Sequence, residues 1–485
     1  MRQVKSVKYN FIMNLILTSS NFIFPLITFP YVSRVLMASG NGKVNFITSV
    51  VNYFMMVAAL GIPTYGIRAC AKVREDKDKL SKTVQELMII HTIMTLITLI
   101  FYILSIFLVN EFYQEKELML INSVGLVFNV FGVNWLYQAL EEYDYITIRS
   151  IIFKIISIIL MFLFVHQTGD YVIYGAITVF STCGSYILNF IRLRKLISFQ
   201  RYPSYNLRQH IKPILVFFAQ SMATTVYCNL DTVMLGFMKG DVEVGYYTVA
   251  IKIKTLLTSV VTALGAVLLP RLSYYVGSGQ KDKFYQLINK TINFVVAMSL
   301  PLTIYFILMA NESILFLSGS GYEPAVAAMQ IILPTILLIG LSNVTGIQVL
   351  TPLGMERYVL ISVIVGAMVD LILNTLFIPG YGSAGAAVGT LMAELAVLIV
   401  QIVFIRHMIQ ERIFDYHQIL RIGLSAILPI FTILLIKSWS LSVFWSLLCS
   451  AVIYFGIYFL LSLLLNVHII KDYTLTILKK LHLIH

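Results

Sequence analysis

The chain has 485 residues, of which 59% are hydrophobic and only 12% charged, and its mean hydropathy is +0.86. That balance excludes a soluble domain or a soluble enzyme. The formal net charge of +12 does not call for nucleic acid, because the basic residues gather in alternate connections between apolar runs.

Those runs are long enough to cross a bilayer as helices, and they recur from end to end. Fourteen spans are predicted: 10–33, 44–66, 87–109, 118–139, 149–166, 171–191, 212–237, 246–270, 291–310, 325–350, 358–378, 383–405, 418–436 and 442–465. The fold class expected is therefore an all-α integral membrane protein of 14 transmembrane helices. The first run follows a basic start and is too long for a signal-peptide core, so no separate signal peptide is expected. Of the 35 Lys and Arg, 27 fall on the amino-terminal side of the membrane, 5 on the other side (Arg34, Lys43, Lys116, Lys239, Lys437) and 3 inside spans. The positive-inside rule then puts both termini in the cytoplasm, and the surplus charge faces anionic lipid headgroups. Cys70, Cys183, Cys228 and Cys449 are far apart, with no metal-type spacing; they read as small core residues.

An internal repeat appears at an offset of 200. Residues 40–48 read GNGKVNFIT and residues 240–248 read GDVEVGYYT, each joining the first two spans of a six-span half. Six is even, so both halves enter from the same side and the repeats are parallel. The organisation expected is an N-lobe at 1–200 and a C-lobe at 201–410, around a central cavity. Spans 13 and 14 and a cytoplasmic tail follow at 411–485.

Polar stripes mark the faces that would line such a cavity. Span 8 carries Thr248, Lys252, Thr255, Ser259 and Thr262, spaced to share one helical face. Span 1 carries Asn10, Asn14, Thr18, Asn21, Pro25 and Thr28; span 2 carries Asn45, Thr48 and Asn52; span 7 carries Gln220, Thr224, Cys228 and Asp231. The other reading is interhelical hydrogen bonding, with Asn and Thr as packing glue.

Six ionisable residues fall within spans: Lys154, Asp231, Lys252, Lys254, Asp370 and Glu394. Each costs roughly 2.5–3.5 kcal/mol at the bilayer centre on insertion scales and needs a partner or a task. Asp231 and Lys252 lie toward the outer ends of neighbouring spans, where an ion pair and a functional role are both open. Lys154 falls about one turn inside span 5, where snorkelling explains it. Asp370 and Glu394 lie near mid-height on spans 11 and 12. If they face each other, like-charge repulsion would hold a proton there; a coupling site for H⁺ or Na⁺ is one reading, and hydrogen bonding to nearby polar groups is the other. No Walker loop, GxGxxG, HExxH or CxxC occurs, so no catalytic residue, metal site or organic cofactor is expected.

Three segments carry a family resemblance. Residues 374–390, NTLFIPGYGSAGAAVGT, resemble the span 11–12 signature of the multidrug/oligosaccharidyl-lipid/polysaccharide (MOP) exporters. Residues 135–149, WLYQALEEYDYITIR, and 229–236, NLDTVMLG, followed by VGYYTVA at 244–250, resemble the Wzx-type flippases within that superfamily. The resemblance covers spans 1–12. It implies translocation of undecaprenyl-diphosphate-linked oligosaccharide repeat units from the cytoplasmic to the outer leaflet of a bacterial cytoplasmic membrane. Two rocking lobes and cationic cavity residues that hold diphosphate or acidic sugars are implied with it. Lys252 matches that cationic role, followed by Arg34 and Arg68. Asn21, Asn52, Gln220 and Asp231 complete the candidate substrate path, and Asp370 and Glu394 the candidate ion-coupling pair. Expected partners are the lipid-linked oligosaccharide, membrane lipids, and a polysaccharide polymerase with its chain-length regulator. Span 1 has no acid, unlike the cation-exporting relatives, which weighs against a multidrug/cation antiporter. A polymerase or acyltransferase would show large basic outer loops or a histidine deep in the membrane; neither is seen.

Overall fold

A computed structural model describes residues 6–406, 415–472 and 474, and every element among them except the turns is helical. The described residues contain eleven helices long and apolar enough to cross a membrane, or twelve if the bent pair Asp241–Ala263 and Leu268–Gly277 forms one span. The chain is a multi-pass membrane protein. It divides into two compact units, Met1–Gly245 and Tyr246–His485.

The first unit holds α1 (Val7–Ala59), α2 (Ile62–Lys72), α3 (Lys77–Leu108), α4 (Asn110–Gln114), α5 (Lys116–Gly132), α6 (Asn134–Ala139), α7 (Tyr143–Phe164), α8 (Tyr171–Leu196) and α9 (Arg208–Lys239). α1 is 53 residues long and is interrupted by non-helical backbone at Met37, between the predicted spans 1 and 2. Close approach explains the glycines that follow. A Cβ on Gly42 would lie 1.8 Å from the Asp241 carbonyl oxygen, and one on Gly245 would lie 2.1 Å from that of Ala38. The backbone at Gly42 thus meets that at Asp241, and the backbone at Gly245 meets that at Ala38, approaches that only glycine allows.

The acids of the turn before α7 hold neighbouring helix ends. Glu141 pairs with Arg74 at 2.7 Å, and Glu142 with Arg192 of α8 at 2.8 Å. The connection from α8 to α9 is fastened to the first turns of α3. Ser198 donates its backbone N–H to Ser81 Oγ at 2.9 Å, and Gln85 donates to the Ser198 carbonyl at 2.7 Å. The Tyr205 hydroxyl donates to Gln85 Oε1 at 2.6 Å. Glu86 is buried and accepts from the Asn206 backbone at 2.8 Å and from Gln209 at 3.0 Å, and it lies 2.8 Å from His210 Nε2. His210 Nδ1 lies 2.8 Å from the Tyr65 hydroxyl. Buried polar groups of this kind persist because each finds a partner.

The second unit continues α10 (Asp241–Gly277) and adds α11 (Lys281–Leu308), α12 (Ala310–Ser318), α13 (Ala325–Ile332), α14 (Thr335–Asn343), a π-helical segment (Val344–Leu350), α15 (Glu356–Ile405), α16 (Tyr416–Ile427), α17 (Ile430–Lys437) and α18 (Val443–Leu464). α15 is broken at Gly382, whose φ of 55° and ψ of −130° suit glycine. Tyrosines fasten the last helices to α11: Tyr305 donates to the Leu447 carbonyl at 2.8 Å and Tyr458 to that of Ala297 at 2.7 Å. Tyr454 donates to the Ala426 carbonyl at 2.9 Å, tying α18 to α16.

Candidate functional site

In the first unit the polar stripe of α1 is set against α7 and α8. Thr147 of α7 donates to the Met13 carbonyl of α1 at 2.9 Å. Two turns along α7, Lys154 leans toward α1 and donates to Ser20 Oγ at 2.7 Å and to Asn21 Oδ1 at 2.6 Å. Beside it lies a cavity of about 240 Å³ whose wall includes Asn21, Thr28, Lys154, Ser157, Tyr174 and Ser181. The expectation for Lys154 is therefore corrected. α7 begins at Tyr143, six residues before the predicted start, so Lys154 is the twelfth of its 22 residues. It sits roughly 15 Å from either helix end, and its ammonium turns to Ser20 and Asn21 of α1 rather than along the helix toward an end.

The same early start buries Arg149, which the sequence reading counts with the cytoplasmic charges. Arg149 is 5% exposed and donates to Asn134 Oδ1 at 2.9 Å, with its guanidinium over the Tyr145 ring.

The other candidates of this unit are dispersed. Asn52 donates to Asn229 Oδ1 at 3.2 Å, joining α1 to α9. Gln220 is exposed on α9 and Asp231 is buried further along it. Arg34 is exposed and donates to the Pro30 carbonyl at 2.9 Å. Arg68 is exposed on α2. Lys43 pairs with Glu115.

In the second unit Lys252 is partly buried on α10. The two arms of α15 run back along each other. A Cβ on Gly385 would lie 2.5 Å from the Phe377 carbonyl, and one on Gly389 would lie 2.2 Å from Asn374 Oδ1 and 3.0 Å from Asp370 Oδ1. Gln401 donates to Ser362 Oγ at 3.1 Å. These contacts fix one antiparallel register, and that register puts Glu394 at the height of Asp370. Both are buried, at 7% and 2% exposure. Thr390, one turn before Glu394, shares a 2.6 Å hydrogen bond with Tyr247 of α10. Gln401 also accepts from Thr345 of the π-helical segment. The sequence reading named the two acids and weighed neighbouring polar groups as their partners. The structure sets Ser362 and Gln401 on the side of the acids nearer the π-helical segment, and Asn374 and Thr390 on the side nearer Gly382.

The family model described as "Polysaccharide biosynthesis protein" matches residues 7–276, more than half of the chain. The chain belongs to that family. A second model, MatE, matches residues 217–376, and together the two make the chain a Wzx-type member of the MOP superfamily. A protein of Escherichia coli (strain K12) named "Putative O-antigen transporter" is 26% identical over 404 residues, covering 83% of this chain and 97% of that protein. Among solved structures, "Lipid II flippase MurJ, inward closed conformation" aligns with a TM-score of 0.76 at 16% identity, covering 94% of this chain and 99% of that one. An inward-facing multidrug resistance MATE transporter aligns with a TM-score of 0.65 at 15% identity over 82% of this chain and 98% of that one. Both likenesses speak to the fold. These relatives and structural neighbours are named as transporters and flippases, not as enzymes.

Proposed function

We propose that the chain is a flippase that moves undecaprenyl-diphosphate-linked oligosaccharide repeat units from the cytoplasmic to the outer leaflet of a bacterial cytoplasmic membrane, for assembly of a surface polysaccharide. The observation that carries this reading is the similarity to the "Putative O-antigen transporter" along nearly the whole of both chains. The proposed architecture is fourteen spans in two six-span halves with two further spans, both termini cytoplasmic, working by alternating access. The break at Met37 in α1 and the reversal at Gly382 in α15 support that count.

The chemistry suits such a cargo. A diphosphate is held by charge-assisted hydrogen bonds from Lys or Arg, and Lys252 is assigned that role first, with Arg34 and Arg68 after it. Asn21, Asn52, Gln220 and Asp231 supply polar groups for the glycan, and the polyprenyl tail stays in lipid. Asp370 and Glu394 are assigned the coupling ion, H⁺ or Na⁺. A polysaccharide polymerase and a chain-length regulator are the proposed partners.

The test is deletion and complementation in the source organism. Loss of the gene should deplete surface polymer and accumulate lipid-linked repeat units on the cytoplasmic leaflet, and the wild-type gene should reverse both. A second reading, a multidrug/cation antiporter, draws on the MatE match and the MATE fold likeness. Drug sensitivity without any polymer defect in the deletion strain would favour it and remove the flippase.

A further inference from the structure

One buried face of α3 is polar. His91, Thr95, Thr98 and Tyr102 follow one another at spacings of four, three and four, so they share that face. They are 4%, 3%, 3% and 0% exposed. The Tyr102 hydroxyl donates to the Met119 carbonyl at 2.7 Å. His91 Nε2 and the hydroxyls of Thr95 and Thr98 have no hydrogen-bond partner among the described residues. Hydroxyls on a membrane helix commonly bond back to a carbonyl one turn earlier. Thr92 and Ser105 of α3 do so, onto the Met88 and Tyr102 carbonyls, both at 2.7 Å. Thr95 and Thr98 make no such bond, and their hydroxyls are left for something else.

A break in the backbone lies level with them. α1 ends at Ala59, Leu60 and Gly61 take left-handed conformations (φ 45° and 75°), and α2 starts at Ile62. Pro63 has no N–H to give the Ala59 carbonyl, and Thr64 makes no backbone bond to the Leu60 carbonyl. Carbonyls at such a helix end need other donors. α3 packs along α1, and the chain reverses between α2 and α3 at residues 73–76. The Phe54 ring meets the Tyr102 ring edge-on, with centroids 5.0 Å apart. Seven residues on from Phe54 is Gly61, and seven back from Tyr102 is Thr95. The antiparallel run therefore sets the break at the height of the unpartnered groups, and Gly61 is itself buried.

We propose that the seam between this break and the His91–Thr95–Thr98 face of α3 is a hydration site, in which ordered waters bridge the side chains of α3 to the carbonyls freed at Ala59 and Leu60. Water fits because it both donates and accepts, as hydroxyls set opposite carbonyls require. A cation fits poorly, because the two threonines and the carbonyls bring no negative charge to compensate it inside a span. The waters also give the joint a use. Carbonyls bonded to water can change their angle without being left bare, so the α1–α2 joint is free to flex. The site lies wholly within the first unit and stands whatever cargo the chain carries.

Imaging the full-length protein in nanodiscs, at a resolution that shows other buried waters, tests the site directly. Density is expected about 2.7–3.2 Å from the Thr95 and Thr98 hydroxyls and from a carbonyl of residues 59–60. A peak held by oxygens alone at about 2.3–2.6 Å would mark a metal cation and overturn the proposal. The thermal midpoint gives the energetic reading. Thr95→Val and Thr98→Val keep the side-chain shape and remove the hydroxyl. Where waters bridge, each should lower the midpoint by about 2–4 °C, since a water loses its anchor. Where the seam is dry, the hydroxyl was uncompensated, and the midpoint should hold or rise. Both readings must agree: a dry seam, or Val variants that melt at or above wild type, overturns the site. Imaging of the wild type keeps the test standing even where a variant fails to fold.

Discussion

Single side chains carry the sharpest consequences. Lys252→Ala should stop polymer export while the protein level holds, and Lys252→Arg should largely retain it, both scored by surface polymer in a deletion strain. Normal export by the Ala variant would remove Lys252 from the substrate path. At the other kind of buried polar residue, His210→Ala should lower stability by about 1–3 kcal/mol, because it strips a partner from a buried carboxylate. The readout is the thermal midpoint in detergent, and an unchanged midpoint would show that Glu86 is satisfied by Asn206 and Gln209 alone. Neither role was equally visible beforehand. Lys252 stands out because it interrupts an apolar run with a charge, whereas Glu86 and His210 are 124 residues apart and sit among loop-like polar residues. Pairing over that distance leaves no local pattern.

At the scale of elements, the α15 hairpin shows why some of the site was legible. Asp370 and Glu394 lie twelve residues before and after Gly382, so a reversal at that glycine brings them level, and a glycine-rich turn marks where the reversal comes. The coupling reading asks that the two carboxyls face each other, where like-charge repulsion favours a shared proton or cation. Asp370→Asn and Glu394→Gln should each slow export about tenfold and abolish its sensitivity to an ionophore that collapses the driving gradient. Wild-type export that ignores such ionophores would dismiss the pair as a coupling site. α7 shows the opposite case. Glu141, Glu142 and Asp144 fall between the predicted spans 118–139 and 149–166. In the structure Glu141 and Glu142 are tied by Arg74 and Arg192, the helix starts at Tyr143, and Lys154 lies six residues deeper than expected. The polar stripe of α1 was legible; the cation facing it was misplaced by that shift.

For the whole molecule, charge distribution is the strongest long-range signal. With 27 of 35 basic residues assigned to one side, a green fluorescent protein fused to the C-terminus should fluoresce and an alkaline phosphatase fused there should be inactive. The reverse pattern would invert the orientation and with it the proposed direction of transport.

The polar stretch 197–207 looks on paper like a slack leash between two halves of the sequence. Ser81, Gln85 and Glu86 sew it to α3, which makes it a poor pivot. If the chain rocks as proposed, the flexing then falls to the helices themselves, and the 43° bend between Asp241–Ala263 and Leu268–Gly277 is one place where a helix is already broken.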